Sequence, residues 1–98
     1  MELENIKKKL NALQVQLRDD YGLSRISGGF VHIDLISHDK DYIYIKIKDG
    51  VQSDVDNEFF TYRVFYILRQ IIEKDGLFIS YSNRGKNNLR IEKLKRSP

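Results

Sequence analysis

The chain has 98 residues, 41% of them hydrophobic and 32% charged, which is enough for one modest core and too little for a second domain. It contains no cysteine, which excludes disulfides, thiolate metal sites and a cysteine nucleophile, and no apolar run reaches the length of a membrane span. The formal charge of +3 is uneven: residues 62–98 carry nine Lys and Arg against three acids, and residues 1–61 carry eight against eleven, an asymmetry that points to a polyanion on one side of the molecule.

Leu3, Ile6, Leu10, Leu13 and Leu17 recur every three or four residues and predict an N-terminal helical unit over 1–22, with Gly22 placed to end it. After a loop through Ser24, Arg25, Gly28 and Gly29 the period changes to two. Val31, Ile33 and Leu35 alternate with Phe30, His32, Asp34 and Ile36, and Ile43, Ile45 and Ile47 alternate with Tyr42, Tyr44, Lys46 and Lys48. These runs predict a hairpin over 30–48 that turns around His38, Asp39 and Lys40. A three-residue loop sets Leu35 opposite Ile43 and Ile33 opposite Ile45, so His32 falls near Lys46, Asp34 near Tyr44 and Phe30 near Lys48 on the outer face.

Asp49 and Gly50 end that strand, and Ser53 or Asp54 can cap a central helical segment over 53–75 that Gly76 terminates. Its apolar face is Phe60, Val64, Ile67, Leu68, Ile71 and Ile72. Its polar face is Tyr62, Arg63, Tyr66, Arg69, Gln70 and Lys74. The segment reads equally as one helix or as a helix-turn-helix broken near Asp56 and Asn57. A second hairpin over 77–94 turns at Asn83-Arg84-Gly85-Lys86-Asn87, and residues 95–98 make a frayed tail. The expected fold is therefore a single α+β domain of helix, β-hairpin, helix or helix-turn-helix, and β-hairpin.

A long helix ending in Ile71-Ile72-Glu73-Lys74-Asp75-Gly76-Leu77, followed at once by a hairpin with Arg84-Gly85-Lys86 at its tip, resembles the recognition helix and basic wing of winged-helix nucleic-acid-binding domains. The likeness covers residues 58–94. It implies that the exposed helix face and the wing tip contact nucleic acid. Where a winged helix has two short helices before the recognition helix, this chain has the hairpin over 30–48. The leading helix, the Gly28-Gly29-Phe30 strand start and the basic wing together also look like the small single-stranded-DNA-binding proteins of staphylococcal cassette elements and related phages.

Single strands are held by bases stacked on aromatic rings and by cations along the phosphates. The candidate nucleic-acid-binding residues are Arg63, Tyr66, Arg69, Lys74, Tyr81, Asn83, Arg84, Lys86, Asn88, Arg90 and Lys93, with Tyr62 and Asn87 beside them. In the competing reading the tyrosines pack at the core rim, the asparagines serve the turn and the basic tail is merely solvated. A secondary candidate surface is the outer face of the first hairpin, with His32, Tyr42, Tyr44, Lys46 and Lys48 alongside Phe30. Its competing reading is a strand face covered by the first helix or a second subunit.

His32 with Asp34, and His38 with Asp39 and Asp41, fall short of three or four convergent ligands, so no metal is expected. No Ser-His-Asp order, paired carboxylates or glycine-rich phosphate loop stands out, so neither an enzyme activity nor a cofactor is expected. The start Met1-Glu2-Leu3-Glu4-Asn5 is acidic and polar and lacks signal-peptide character, which points to a cytoplasmic protein without a membrane partner. The leading expectation is a non-enzymatic protein that binds single-stranded DNA with little base readout and assists replication or recombination proteins of a mobile element or phage. The alternatives are a sequence-specific winged-helix regulator on duplex DNA and a protein-interaction module such as a phage-encoded inhibitor of a host enzyme. The Leu3 to Leu17 stripe serves first as a core face and alternatively as the seam of a homo-oligomer.

Overall fold

In the computed structural model, residues 2–21, 31–48, 54–82 and 88–94 are described. Helix α1 (Glu2–Tyr21) leads into strands β1 (His32–His38) and β2 (Tyr42–Lys48), then helix α2 (Asp54–Lys74) and strands β3 (Ile79–Tyr81) and β4 (Asn88–Glu92). Gly22, the loop to Phe30, the cap at Ser53, the Phe60 side chain, the tip over 83–87 and the tail over 95–98 lie outside the described residues.

The segment that the sequence leaves open between one helix and two is one continuous helix of 21 residues. It ends where expected: Gly76 takes φ of 79°, and the N–H groups of Gly76 and Leu77 donate to the carbonyls of Glu73 (3.0 Å) and Ile72 (3.2 Å). A left-handed residue just past the last turn satisfies the otherwise orphaned carbonyls there, and glycine adopts it without a Cβ clash.

All four strands form one antiparallel sheet in the order β1-β2-β4-β3. The second hairpin is thus not an appendage. Its β4 pairs with β2, setting Ile43 beside Ile91, Tyr44 beside Arg90 and Ile45 beside Leu89. Partners in a register share a sheet face, so Ile33, Ile43, Ile45, Ile47, Ile79, Leu89 and Ile91 form one apolar surface. Ile6, Leu10, Leu13 and Leu17 of α1 and Val64, Leu68, Ile71 and Ile72 of α2 close over that surface in a single core cluster. The leucine stripe is therefore buried within its own chain, apart from the exposed Leu3. The radius of gyration, 12.8 Å, is that of one domain of this length.

The first hairpin departs from its expected register. His32 faces Lys48, Ile33 faces Ile47, Asp34 faces Lys46 and Leu35 faces Ile45, and a bulge before Ser37 then shifts the pairing to Ser37 with Tyr44 and His38 with Ile43. The cause lies in the turn. The Asp39 carboxylate accepts the N–H groups of Asp41 (2.8 Å) and Tyr42 (2.7 Å), which places the loop at Asp39 to Asp41, one residue later than expected. Continued regularly, that loop would turn the apolar set of β1 outward, and the extra residue at the Ile36 bulge restores it to the core face.

At the outer edge of β1 the Ile33 N–H points away from β2 and donates to Gln14 Oε1 of α1 (2.9 Å). A helix side chain thus satisfies part of this sheet edge.

Candidate functional site

Because both helices cover one side of the sheet, the other side carries no secondary structure among the described residues. The register writes its surface in rows: His32 with Lys48; Asp34, Lys46 and Asn88; Ser37, Tyr44, Arg90 and Ser80; and Tyr42 with Glu92. Two of the four outward residues of the secondary candidate surface on β2, Tyr44 and Lys46, therefore stand directly beside Arg90 and the buried Asn88 of the primary one. Sequence reasoning kept these two sets apart, since only the pairing of β2 with β4 joins them.

Tyr42 and Tyr44 lie two residues apart on one strand face, their ring centroids separated by 6.0 Å. The Arg90 guanidinium sits 4.8 Å from the centroid of the Tyr42 ring, and its Nε donates to Ser80 Oγ at 2.9 Å. Ring and guanidinium make a pre-positioned stacking unit, in which ring electrons attract the cation. The two Nη groups of Arg90 have no partner among the described residues. Tyr44 is oriented by its hydroxyl, which donates to Asp39 Oδ2 (3.3 Å). Lys48 pairs with Asp34 (3.0 Å), and Lys46 has no ion-pair partner among the described residues. The Ser82 N–H donates to the Asn88 carbonyl (3.0 Å), and Asn88 stands beside Lys46 in the register.

The remaining candidates are on other surfaces. Arg63, Tyr66, Arg69 and Lys74 are exposed on α2, on the helical side of the domain, where Arg69 pairs with Glu73 (3.1 Å). Tyr81 is opposite Leu89, so it too faces the helices, and its ring stacks on Phe65 at 4.5 Å. Burial there, and then the neighbouring Tyr62, raise the Tyr81 hydroxyl above its ordinary pKa. Lys93 is also turned to the helical side, where it is largely buried, binds the Glu2 carboxylate and meets His38 Nδ1 at 3.2 Å. That contact holds Glu2 below the usual carboxylate range, first through the hydrogen bond and then through the charge of Lys93. Asn83, Arg84 and Lys86 fall outside the described residues. The two sides are separated by the thickness of the sheet, so the predicted residues form two surfaces and not one.

No protein family, curated protein or solved structure matches the chain. The site is therefore read from its own chemistry. Among the described residues no cluster of three or more His, Asp or Glu gathers as a metal site, and no helix is long and apolar enough to cross a membrane. Ser80, the side chain that aims Arg90, was missed in the sequence. Its only signal there was period-two placement next to Ile79, which assigns a face but no partner.

The turn that positions Tyr44 has a pH signature. The N–H groups of Tyr42 and Asp41, and more weakly the Tyr44 hydroxyl, hold the Asp39 carboxyl below the usual carboxylate range. A group whose pKa is depressed on folding stabilises the fold above its unfolded pKa and loses that contribution as pH falls through the folded value. The first hairpin is accordingly expected to loosen in acid, below the ordinary aspartate range, and Asp39→Asn should flatten that part of the profile. Amide exchange at Asp41 and Tyr42 against pH reads this directly, and identical profiles in both proteins would contradict it.

Proposed function

We propose that this protein binds single-stranded nucleic acid, DNA in preference, on the open face of its sheet. One observation carries the reading: both helices lie on one side, and the side that no described helix covers presents the half-exposed Tyr42 and Tyr44 pair with Arg90 set over Tyr42. An aromatic pair on a sheet offers faces to successive unpaired bases, and an arginine plane adds to them. Lys46, Lys48 and Arg90 then meet phosphates. Stacking accepts any base, so little sequence readout follows. A role beside replication or recombination proteins of a mobile element or phage fits such binding.

A second reading places duplex DNA on the α2 side, in the helix-plus-wing manner, and the exposed Arg63, Tyr66 and Arg69 favour it. Titration of matched single-stranded, duplex and RNA oligonucleotides at several salt concentrations separates the two. With three cations on a single strand, log affinity should fall against log salt with a slope of about −2. Tighter binding to duplex than to its single strand moves the site to α2. Absence of salt-sensitive binding to any oligonucleotide leaves a protein-interaction module as the reading.

A further inference from the structure

The two aromatic rings of the open face share neither a plane nor a stack. Tyr42 and Tyr44 have ring centroids 6.0 Å apart and ring planes inclined at 50° to each other. Both rings are held by partners: the Arg90 guanidinium lies over Tyr42, 4.8 Å from its centroid, and the Tyr44 hydroxyl donates to Asp39 Oδ2 at 3.3 Å. Arg90 is held in turn by Ser80 Oγ, and the Asp39 carboxylate by the N–H groups of Asp41 and Tyr42. The inclination is thus built into the sheet and its turn. A base lying flat on a ring takes the inclination of that ring, so two bases on this pair stand at about 50° to each other. Neighbouring bases of a stacked strand are parallel and about 3.4 Å apart. Two neighbours that sit on Tyr42 and Tyr44 have therefore lost their contact with each other.

We propose that the open face selects strands whose bases unstack at low cost, pyrimidine runs over adenine runs, and that the angle between Tyr42 and Tyr44 sets this preference. The preference rests on the proposed binding of single strands to this face. A tyrosine side chain has one aromatic ring, which limits its overlap with any base to about the area of that ring, so the gain on the protein differs little from base to base. What differs is the contact given up. Two stacked purines overlap across both of their rings and two pyrimidines across one, so opening a purine step forfeits more before either base reaches its tyrosine. No base edge is read in this scheme. Carboxylates that could read an amino group do stand on the face, Glu92 in the row of Tyr42 and Asp34 in the row of Lys46. A cytosine run separates the two causes, because cytosine shares an exocyclic amino group with adenine and a single ring with thymine.

Fluorescence anisotropy of labelled oligo-dT, oligo-dC and oligo-dA of equal length, titrated with the wild-type chain at one salt concentration, tests the preference. The three carry the same number of phosphates, so the electrostatic contribution cancels from their ratios. Oligo-dT and oligo-dC are expected to bind alike and about tenfold more tightly than oligo-dA, which corresponds to about 1.4 kcal/mol for one opened step. In Tyr42→Ala, shown to be folded by circular dichroism, a base sits on Tyr44 alone and no step has to open. All three strands should then weaken, and the ratio of dT to dA affinity should fall toward one. Salt-sensitive binding of oligo-dA by the wild type as tight as that of oligo-dT overturns the preference and leaves single-strand binding in place. So does tight binding of dT with dC as weak as dA, since a base edge is then being read. A ratio that persists undiminished in folded Tyr42→Ala overturns it as well, because the angle between the rings is then not the cause. Absence of binding to all three removes the nucleic-acid reading and the preference together.

Discussion

Alanine at both Tyr42 and Tyr44 is expected to weaken binding of a single-stranded oligonucleotide by about thirtyfold or more. Base stacking on an aromatic side chain contributes about 1–3 kcal/mol per base, so two stacked bases at the low end give about 2 kcal/mol, and every 1.4 kcal/mol or so is tenfold. The rings are 6.0 Å apart and share a strand face, so their losses are not simply additive and the low end is the safer figure. The comparison is informative because both tyrosines are half-buried on the side away from the core. Removing them forfeits cross-strand contacts of roughly 0.2–1 kcal/mol each, too little to unfold the domain. Arg90→Ala should add a loss of its own and make the salt dependence shallower by about 0.7, one phosphate contact. Fluorescence anisotropy at fixed salt measures both. Unchanged affinity in a folded double variant would remove the open face from the site and direct attention to Arg63, Tyr66 and Arg69.

The double variant also bears on how far the sequence could locate the site. Period-two alternation placed Tyr42, Tyr44, Lys46 and Lys48 on one face, and helical spacing placed Tyr62, Arg63, Tyr66 and Arg69 on the polar face of another element, because each pattern is local to its element. Such patterns do not state which strand neighbours which. The pairing of β2 with β4 brings residues 42–46 beside 88–92, and a separation of more than forty residues leaves no periodic trace. Arg90 and Tyr42 were therefore both visible as candidates, yet not as partners. The hairpin register was missed for a different reason. Hydrophobic alternation fixes the face of a strand and not its offset, and the offset here is decided by two hydrogen bonds to the Asp39 carboxylate, with the bulge at Ile36 correcting the face afterwards. The end of α2 at Gly76 was legible because a glycine just past an apolar run is a local signal.

Leu17→Ala is expected to cost about 2–5 kcal/mol, while Leu3→Ala should cost less than about 1 kcal/mol. By spacing alone these two leucines are equivalent members of the α1 stripe. Leu17 is 0% exposed, and its truncation opens a cavity in the core cluster that the close-packed residues around it cannot fill without strain. Leu3 is 44% exposed, in the first turn of α1. For a domain of about this size, whose whole stability is about 5–15 kcal/mol, the larger loss lowers the melting temperature by roughly 10–30 °C. Thermal unfolding followed by circular dichroism measures it. The pair of variants also separates the two uses of the stripe. A helix that closes its own core loses stability at Leu17 alone, and independently of protein concentration. A helix that seals a dimer along its whole length would lose comparable amounts at Leu3 and Leu17, with a melting temperature that rises with concentration. Equal effects at the two positions, with a melting temperature that rises with concentration, would therefore place a self-association seam along α1.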